Sequence, residues 1–166
     1  MKEVIDVVRS VYGSFENPDF HFVSEALRRR PYEQVVSQLG RIFKVEEDTD
    51  ANDDVSFGYI LRGHGQREWV LRLSMVGPYA VVLRLSGNGP AEVVSPGAPT
   101  PEEQELKLLQ VLSAQGIQVL SQDELMRPVT LSLYNTNPGN VRVYQALFSD
   151  TDVLPWEGEW ADGEQD

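Results

Sequence analysis

At 166 residues the chain has the length of one domain, and it can bury about 70% of its unfolded surface without disulfide or metal staples. It has no cysteine, which excludes a disulfide framework, a cysteine-ligated zinc site and a thiol nucleophile. Acids number 26 against 14 bases, and a net charge of −12 argues against a DNA-binding module, which carries a basic footprint.

The first element is a helix over residues 2–12, with Val4, Ile5, Val8, Val11 and Tyr12 at helical spacing and Gly13 as its stop. Asn17-Pro18-Asp19 is a turn, and residues 20–29 read as a second helix ending in Arg28-Arg29-Arg30. Pro31 fits the first position of a third helix, carried by Tyr32, Val35, Val36 and Leu39 and closed by Gly40. Residues 41–45 alternate as a strand, with Phe43 and Val45 inward.

An acidic loop at 46–54 leads into strands near 55–62, 67–76 and 79–86, separated by Gly63-His64-Gly65 and Gly77-Pro78. Trp69, Leu71, Leu73 and Met75 share one face of the middle strand; Tyr79, Val81, Leu83 and Leu85 share one face of the last. Bringing both sets to one core requires Met75 opposite Tyr79, and therefore a three-residue or bulged turn. That register also keeps Arg72 from facing Arg84 directly.

Residues 87–99 are rich in Gly and Pro, with a short strand at 92–95. Thr100-Pro101-Glu102-Glu103 starts a helix whose stripe is Leu106, Leu108, Leu109 and Leu112 and whose stop is Gly116. A short strand at 117–120 follows, and then Ser121-Gln122-Asp123-Glu124 is a capping box for a short helix ended by Pro128. Residues 129–133 and 141–148 read as a hairpin around Asn137-Pro138-Gly139-Asn140, which suits a type II turn. The expected fold is α+β: a mostly antiparallel sheet, a meander plus C-terminal hairpin, packed with helices in two layers. A single domain spans 1–156, and 157–166 is a loose acidic tail.

No signal peptide, lipidation box or membrane span is visible, so the expected location is the cytoplasm, with no membrane partner. Catalytic motifs are equally scarce. His64 lies in a Gly-flanked turn and His21 between two phenylalanines, and no G-x-S-x-G elbow presents a serine to either. Asp48-Thr49-Asp50-Ala51-Asn52 begins like a calcium loop, but Asp53 stands where the sharp turn needs Gly and Tyr59 where a bidentate Glu is needed. Gly87-Asn88-Gly89-Pro90 lacks a phosphate-binding pattern. No metal, cofactor, nucleic-acid partner or catalytic residue is therefore assigned.

The charge is concentrated. Residues 46–54 hold six acids and no base, so Glu46, Glu47, Asp48, Asp50, Asp53 and Asp54 are candidate contacts for a basic protein partner. The alternative reading of this charge is colloidal: it keeps a small protein dispersed. Trp156 and Trp160 are candidate partner anchors, or else pin the tail to the core. Arg62, Arg72 and Arg84 fall on the even-numbered face of three successive strands and are candidates for an anionic ligand, unless acids of a covering element take them.

A small, acidic, cysteine-free α+β chain without a catalytic motif resembles the immunity proteins of bacterial toxin systems, which plug or cover a toxin's active site, often with acidic loops. The resemblance implies a non-enzymatic protein that neutralises a cognate toxin, as a monomer or homodimer. The element order is also similar to the small acidic chaperones of type III secretion, which dimerise and bind an effector. A small hydrolase using Asp and Glu is the enzymatic alternative, because 26 acids offer many possible pairs.

Overall fold

The computed structural model describes residues 2–50, 52–87, 89–97 and 102–157. Helix α1, Lys2–Tyr12, buries Val4, Val8 and Tyr12 one turn apart, and Gly13 at φ 80 ends it in a conformation that costs glycine little. Helix α2, His21–Arg29, ends on Arg30 in the left-handed region, with its N–H bonded to the Ala26 carbonyl. The Arg30 guanidinium then bonds Glu47 at 2.6 Å and covers the Phe57 ring at 4.9 Å, which holds the residue in that conformation. Helix α3 is Glu33–Leu39 with Tyr32 as its cap. Pro31 therefore serves the turn between α2 and α3 and is not the first helical residue.

The strands are β1 Lys44–Glu47, β2 Ser56–Arg62, β3 Glu68–Ser74, β4 Tyr79–Leu85, β5 Glu92–Val93 and β6 Gln118–Val119. The first five form an antiparallel sheet in chain order, and β6 joins β4 in parallel. Between β5 and β6 lies helix α4, Glu103–Ala114; the cap expected at Thr100-Pro101 lies outside the described residues. Helix α5, Gln122–Leu125, begins with the capping box read in the sequence: Ser121 Oγ accepts from the Glu124 N–H, and Glu124 Oε1 accepts from the Ser121 N–H.

The expected pairing of β3 with β4 is overturned. Leu73 faces Ala80, Leu71 faces Val82 and Trp69 faces Arg84. Four residues connect the strands, and Arg72 and Arg84 avoid each other by lying on opposite faces of the sheet. The physical reason is that both faces are buried. A one-residue slip exposes the apolar set only when the other face meets water, and β4 is apolar on both sides, as buried central strands are.

On the first face Phe57, Leu61, Trp69, Leu71 and Val82 pack with Ala26, Val35, Leu39, Leu108 and Leu112 from α2, α3 and α4. On the second, Tyr79, Val81 and Leu83 pack with Val4, Val8 and Tyr12 of α1, Leu125 of α5 and the last helix. The domain is thus α+β with a mostly antiparallel sheet, but helices cover both of its faces and the expected two layers become three.

The C-terminal hairpin does not form. Residues 129 and 141 share one backbone bond and Pro128 bridges Arg142, but Val143–Leu147 is a helix, α6, buried on every side. Its terminal carbonyls, which have no partner within a helix, receive hydroxyls from distant elements. Tyr12 donates to Ala146, Ser74 to Leu147 and Ser56 to Phe148, at 2.7, 2.7 and 2.8 Å. The turn before it is a 3-10 turn over Pro138–Asn140, and Gly139 does not adopt the positive φ of a type II turn. In α4 the buried face holds Gln104, Glu105, Leu108 and Leu112, while Leu106 of the expected stripe is 46% exposed.

Candidate functional site

The acidic segment 46–54 is ordered by what surrounds it. The Asp48 N–H bonds the Gly58 carbonyl at 2.7 Å, and Gly58 returns a bond to Thr49 Oγ1. Gly58 leaves little room there: a Cβ would stand 3.0 Å from the Asp48 carbonyl oxygen and 3.3 Å from Arg72 Nη1. Further on, the Asp54 N–H bonds the Asp50 carbonyl, the Asp150 N–H bonds the Asp53 carbonyl, and Asp54 bridges Ser149 in antiparallel fashion. The segment after α6 therefore lies alongside residues 53–56.

These contacts divide the six predicted acids into two groups. Glu46 is bonded to Arg62, Glu47 to Arg30 and Thr49, and Asp54 to Arg72 and Ser149. Their charges are met within the protein. Arg30 above all, with Thr49, holds the Glu47 carboxyl below its usual range against the opposing effect of burial, whereas burial raises the Asp54 carboxyl despite Ser149 and Arg72. Asp48, Asp50 and Asp53 are exposed and have no ion pair among the described residues.

Two connected clefts open over this segment. One, of about 460 Å³, is lined by Asp48, Asp50, Asp53, Asp54, Arg72 and Asp150 among others. The second, of about 550 Å³, shares Asp53, Asp54, Asn135 and Asp150 with it and continues to an apolar wall of Phe20, Val23, Leu133 and Tyr134. The Tyr134 ring is 85% exposed and lies 5.7 Å from the Phe20 ring. Its backbone is nevertheless fixed, because Asp150 accepts from the N–H groups of Tyr134 and Asn135 and from Thr136 Oγ1. Asp152 holds the same loop further along through Asn137 and Asn140.

The sequence did not mark Phe20, Tyr134, Asn135 or Asp150 as site residues. Only the pairing of residues 53–56 with 148–150 brings them to the acidic segment. No motif links them in the sequence: Leu133 ends the first strand of the expected hairpin, Tyr134 and Asn135 fall in its connection, and Asp150 follows its second strand.

The arginine stripe is not formed. Arg84 points to the face opposite Arg62 and Arg72, as the observed register requires. Each is taken by acids: Arg62 by Glu46 and Glu68, Arg72 by Asp54, and Arg84 by Glu105 in two bonds of 2.7 Å. Arg72 also reaches the buried Tyr144 hydroxyl, whose ionisation burial suppresses, and its Nε has no partner among the described residues. Near it an apolar groove of about 500 Å³ runs past Val70, Leu83, Leu85, Ala91, Val153 and Pro155.

Trp156 is half-buried, edge-on to Tyr144 at 5.2 Å, and belongs to the core behind the second face; Trp160 lies outside the described residues. Both histidines are exposed, His64 in a 3-10 turn and His21 at the start of α2, 3.9 Å from Glu25. Among the described residues no group of three His, Asp or Glu is arranged to hold a metal ion, and no helix is long and apolar enough to cross a membrane.

The fold and the site together define an α+β domain, covered on both sheet faces, that bears an open acidic cleft with an aromatic wall. Comparison with protein-family models, with curated proteins and with solved structures finds no match to the chain.

Proposed function

We propose that this chain is a non-enzymatic binding protein that neutralises a basic partner protein by covering it, as immunity proteins of bacterial toxin systems do. The observation that carries the reading is the division of the acidic segment. Glu46, Glu47 and Asp54 are met by arginines, whereas Asp48, Asp50 and Asp53 present carboxylates that have no ion pair among the described residues, on a segment braced by backbone bonds. Charges held in this way, on a chain of net charge −12, steer a basic surface into place and disfavour acidic ones.

The test is retention of protein from native-host lysate on immobilised wild type and on a variant carrying Asp48→Asn, Asp50→Asn and Asp53→Asn together. The reading expects one basic protein, held by wild type at low salt, released at high salt and weakly held by the variant. Retention of nothing, or equal retention on the variant, overturns it. A salt-insensitive partner bound through an apolar segment would instead support the chaperone alternative.

A second reading, a hydrolase built on Asp and Glu, draws on the raised carboxyl of Asp54 beside Asp150 at the cleft. Against it, both Asp54 oxygens already accept, from Ser149 and Arg72. Turnover in a hydrolytic screen that disappears in Asp54→Asn would establish it.

A further inference from the structure

We infer that the cleft between α2, residues 52–55 and residues 133–135 receives an arginine side chain of the partner, an inference that rests on the neutralisation reading above. Three observations on different parts of the cleft converge on this occupant. The first is the wall. Phe20 and Tyr134 form an aromatic pair, and Tyr134 keeps 85% of its surface in water although its backbone is locked to Asp150. A large ring held in place and left uncovered is a surface prepared for a flat, weakly hydrated group.

The second is Asp150. Its side chain lines the cleft, the residue is only 8% exposed, and it has no cation partner among the described residues. Three donors hold it: two backbone N–H groups and the Thr136 hydroxyl. A carboxylate has about four acceptor sites, so one remains. The neighbouring buried carboxylate, Asp54, has its own arginine, Arg72, at 2.9 Å. Asp150 has no equivalent among the described residues.

The third is the mouth. Asp53 lines both clefts, and among the described residues its carboxylate accepts only from the neutral Asn135 amide, at 3.2 Å. A cation entering along the aromatic wall meets Asp53 first and Asp150 deeper in.

An arginine satisfies all three features. Its guanidinium is planar, stacks on aromatic faces, bonds carboxylates in a two-pronged geometry and sheds water more readily than an ammonium. Its methylene stem suits the apolar side of the cleft formed by Val23 and Leu133. A lysine offers the charge without the plane.

The test uses three capped tripeptides, acetyl-Gly-Xaa-Gly-amide with arginine, citrulline or lysine at the centre, titrated into the full chain and followed by amide resonances. The arginine peptide is expected to shift the Tyr134 and Asn135 amides saturably, the lysine peptide to bind several-fold more weakly, and the neutral citrulline peptide to give no saturable shift. Tyr134→Ala removes an exposed ring and so leaves the fold intact, and it should weaken the arginine peptide by about two- to fivefold, the range of an exposed cation–π contact. Asp53→Asn should weaken it as well and reduce its salt dependence.

Equal binding of the citrulline and arginine peptides, unchanged affinity in Tyr134→Ala, or shifts confined to other parts of the protein overturns the inference. The two proposals fail separately. An arginine peptide that binds here while no protein is retained through Asp48, Asp50 and Asp53 leaves the cleft and removes the neutralisation reading. A retained basic protein with no preference for arginine over citrulline in the cleft does the reverse.

Discussion

Glu105 is fully buried in α4, and its carboxylate joins two layers of the domain. It accepts both Nε and Nη2 of Arg84 from β4, each at 2.7 Å, and the Trp69 indole N–H from β3 at 2.9 Å. Glu105→Ala therefore strands a guanidinium and a buried indole donor together. Breaking a buried pair by removing one partner costs about 3–5 kcal/mol, and an orphaned buried donor about 1–3 kcal/mol. Arg84 is 32% exposed and has Glu92 3.5 Å away, so part of its charge is still met; discounting the pair to about 2 kcal/mol and adding about 1 kcal/mol for the indole gives about 3 kcal/mol. For a chain of this size that is a drop in Tm of roughly 6–12 °C. Urea unfolding of wild type, Glu105→Ala, Arg84→Ala and the double variant, followed by far-ultraviolet circular dichroism, measures it as a cycle. A Glu105→Ala loss below about 1 kcal/mol, or no coupling between the two positions, would refute the reasoning and return Arg84 to the set of residues free to bind a ligand.

Removing the Tyr12 hydroxyl with Tyr12→Phe leaves the buried Ala146 carbonyl without its donor, and urea unfolding should show a loss of about 1–3 kcal/mol. Gly63→Ala would drive a methyl group into the Gln104 side chain and within 2.9 Å of Trp69 Cζ3, so an overpacking loss of about 1–3 kcal/mol is expected in the same assay. The Asp54 carboxyl, raised by burial, binds its proton more tightly in the folded than in the unfolded chain. Stability contributed there is present below the ordinary Asp range and lost as pH rises through the raised value, and Asp54→Asn should remove that fall from a pH series of denaturation curves. Arg62 makes its ion pairs at the surface, so Arg62→Ala should leave the urea midpoint unchanged while Glu105→Ala moves it.

Much of the local structure was legible because local chemistry decides it. The spacing of Val4, Val8 and Tyr12 sets the buried side of α1, the Ser121–Glu124 box starts α5, and the alternation in β2 and β3 survives in their pairing of Phe57 with Leu73 and Leu61 with Trp69. The acidic segment was legible as charge, and three of its six acids have no ion pair among the described residues. Which three was not legible, since the cations that neutralise the others come from the end of α2, from β2 and from β3.

Three features belonged to the tertiary structure alone. The β3–β4 register was open because Ala80 and Val82, like Val81 and Leu83, allow either face of β4 to be buried, and only the helices packed on both sides close the choice. The residues Val143–Leu147 carry β-branched and aromatic side chains that read as a strand, yet a segment buried on every side has no period to declare itself by. Its helix exists because Tyr12, Ser56 and Ser74 supply hydroxyls to the carbonyls it ends on, from 134, 92 and 73 residues away. The aromatic wall and Asp150 then reach the acidic segment only because that helix delivers residues 148–150 alongside 53–56. Periodicity and capping act within a few residues, so the sequence by itself settles elements. The site is made by hydrogen bonds between segments roughly a hundred residues apart, and only the folded chain holds those.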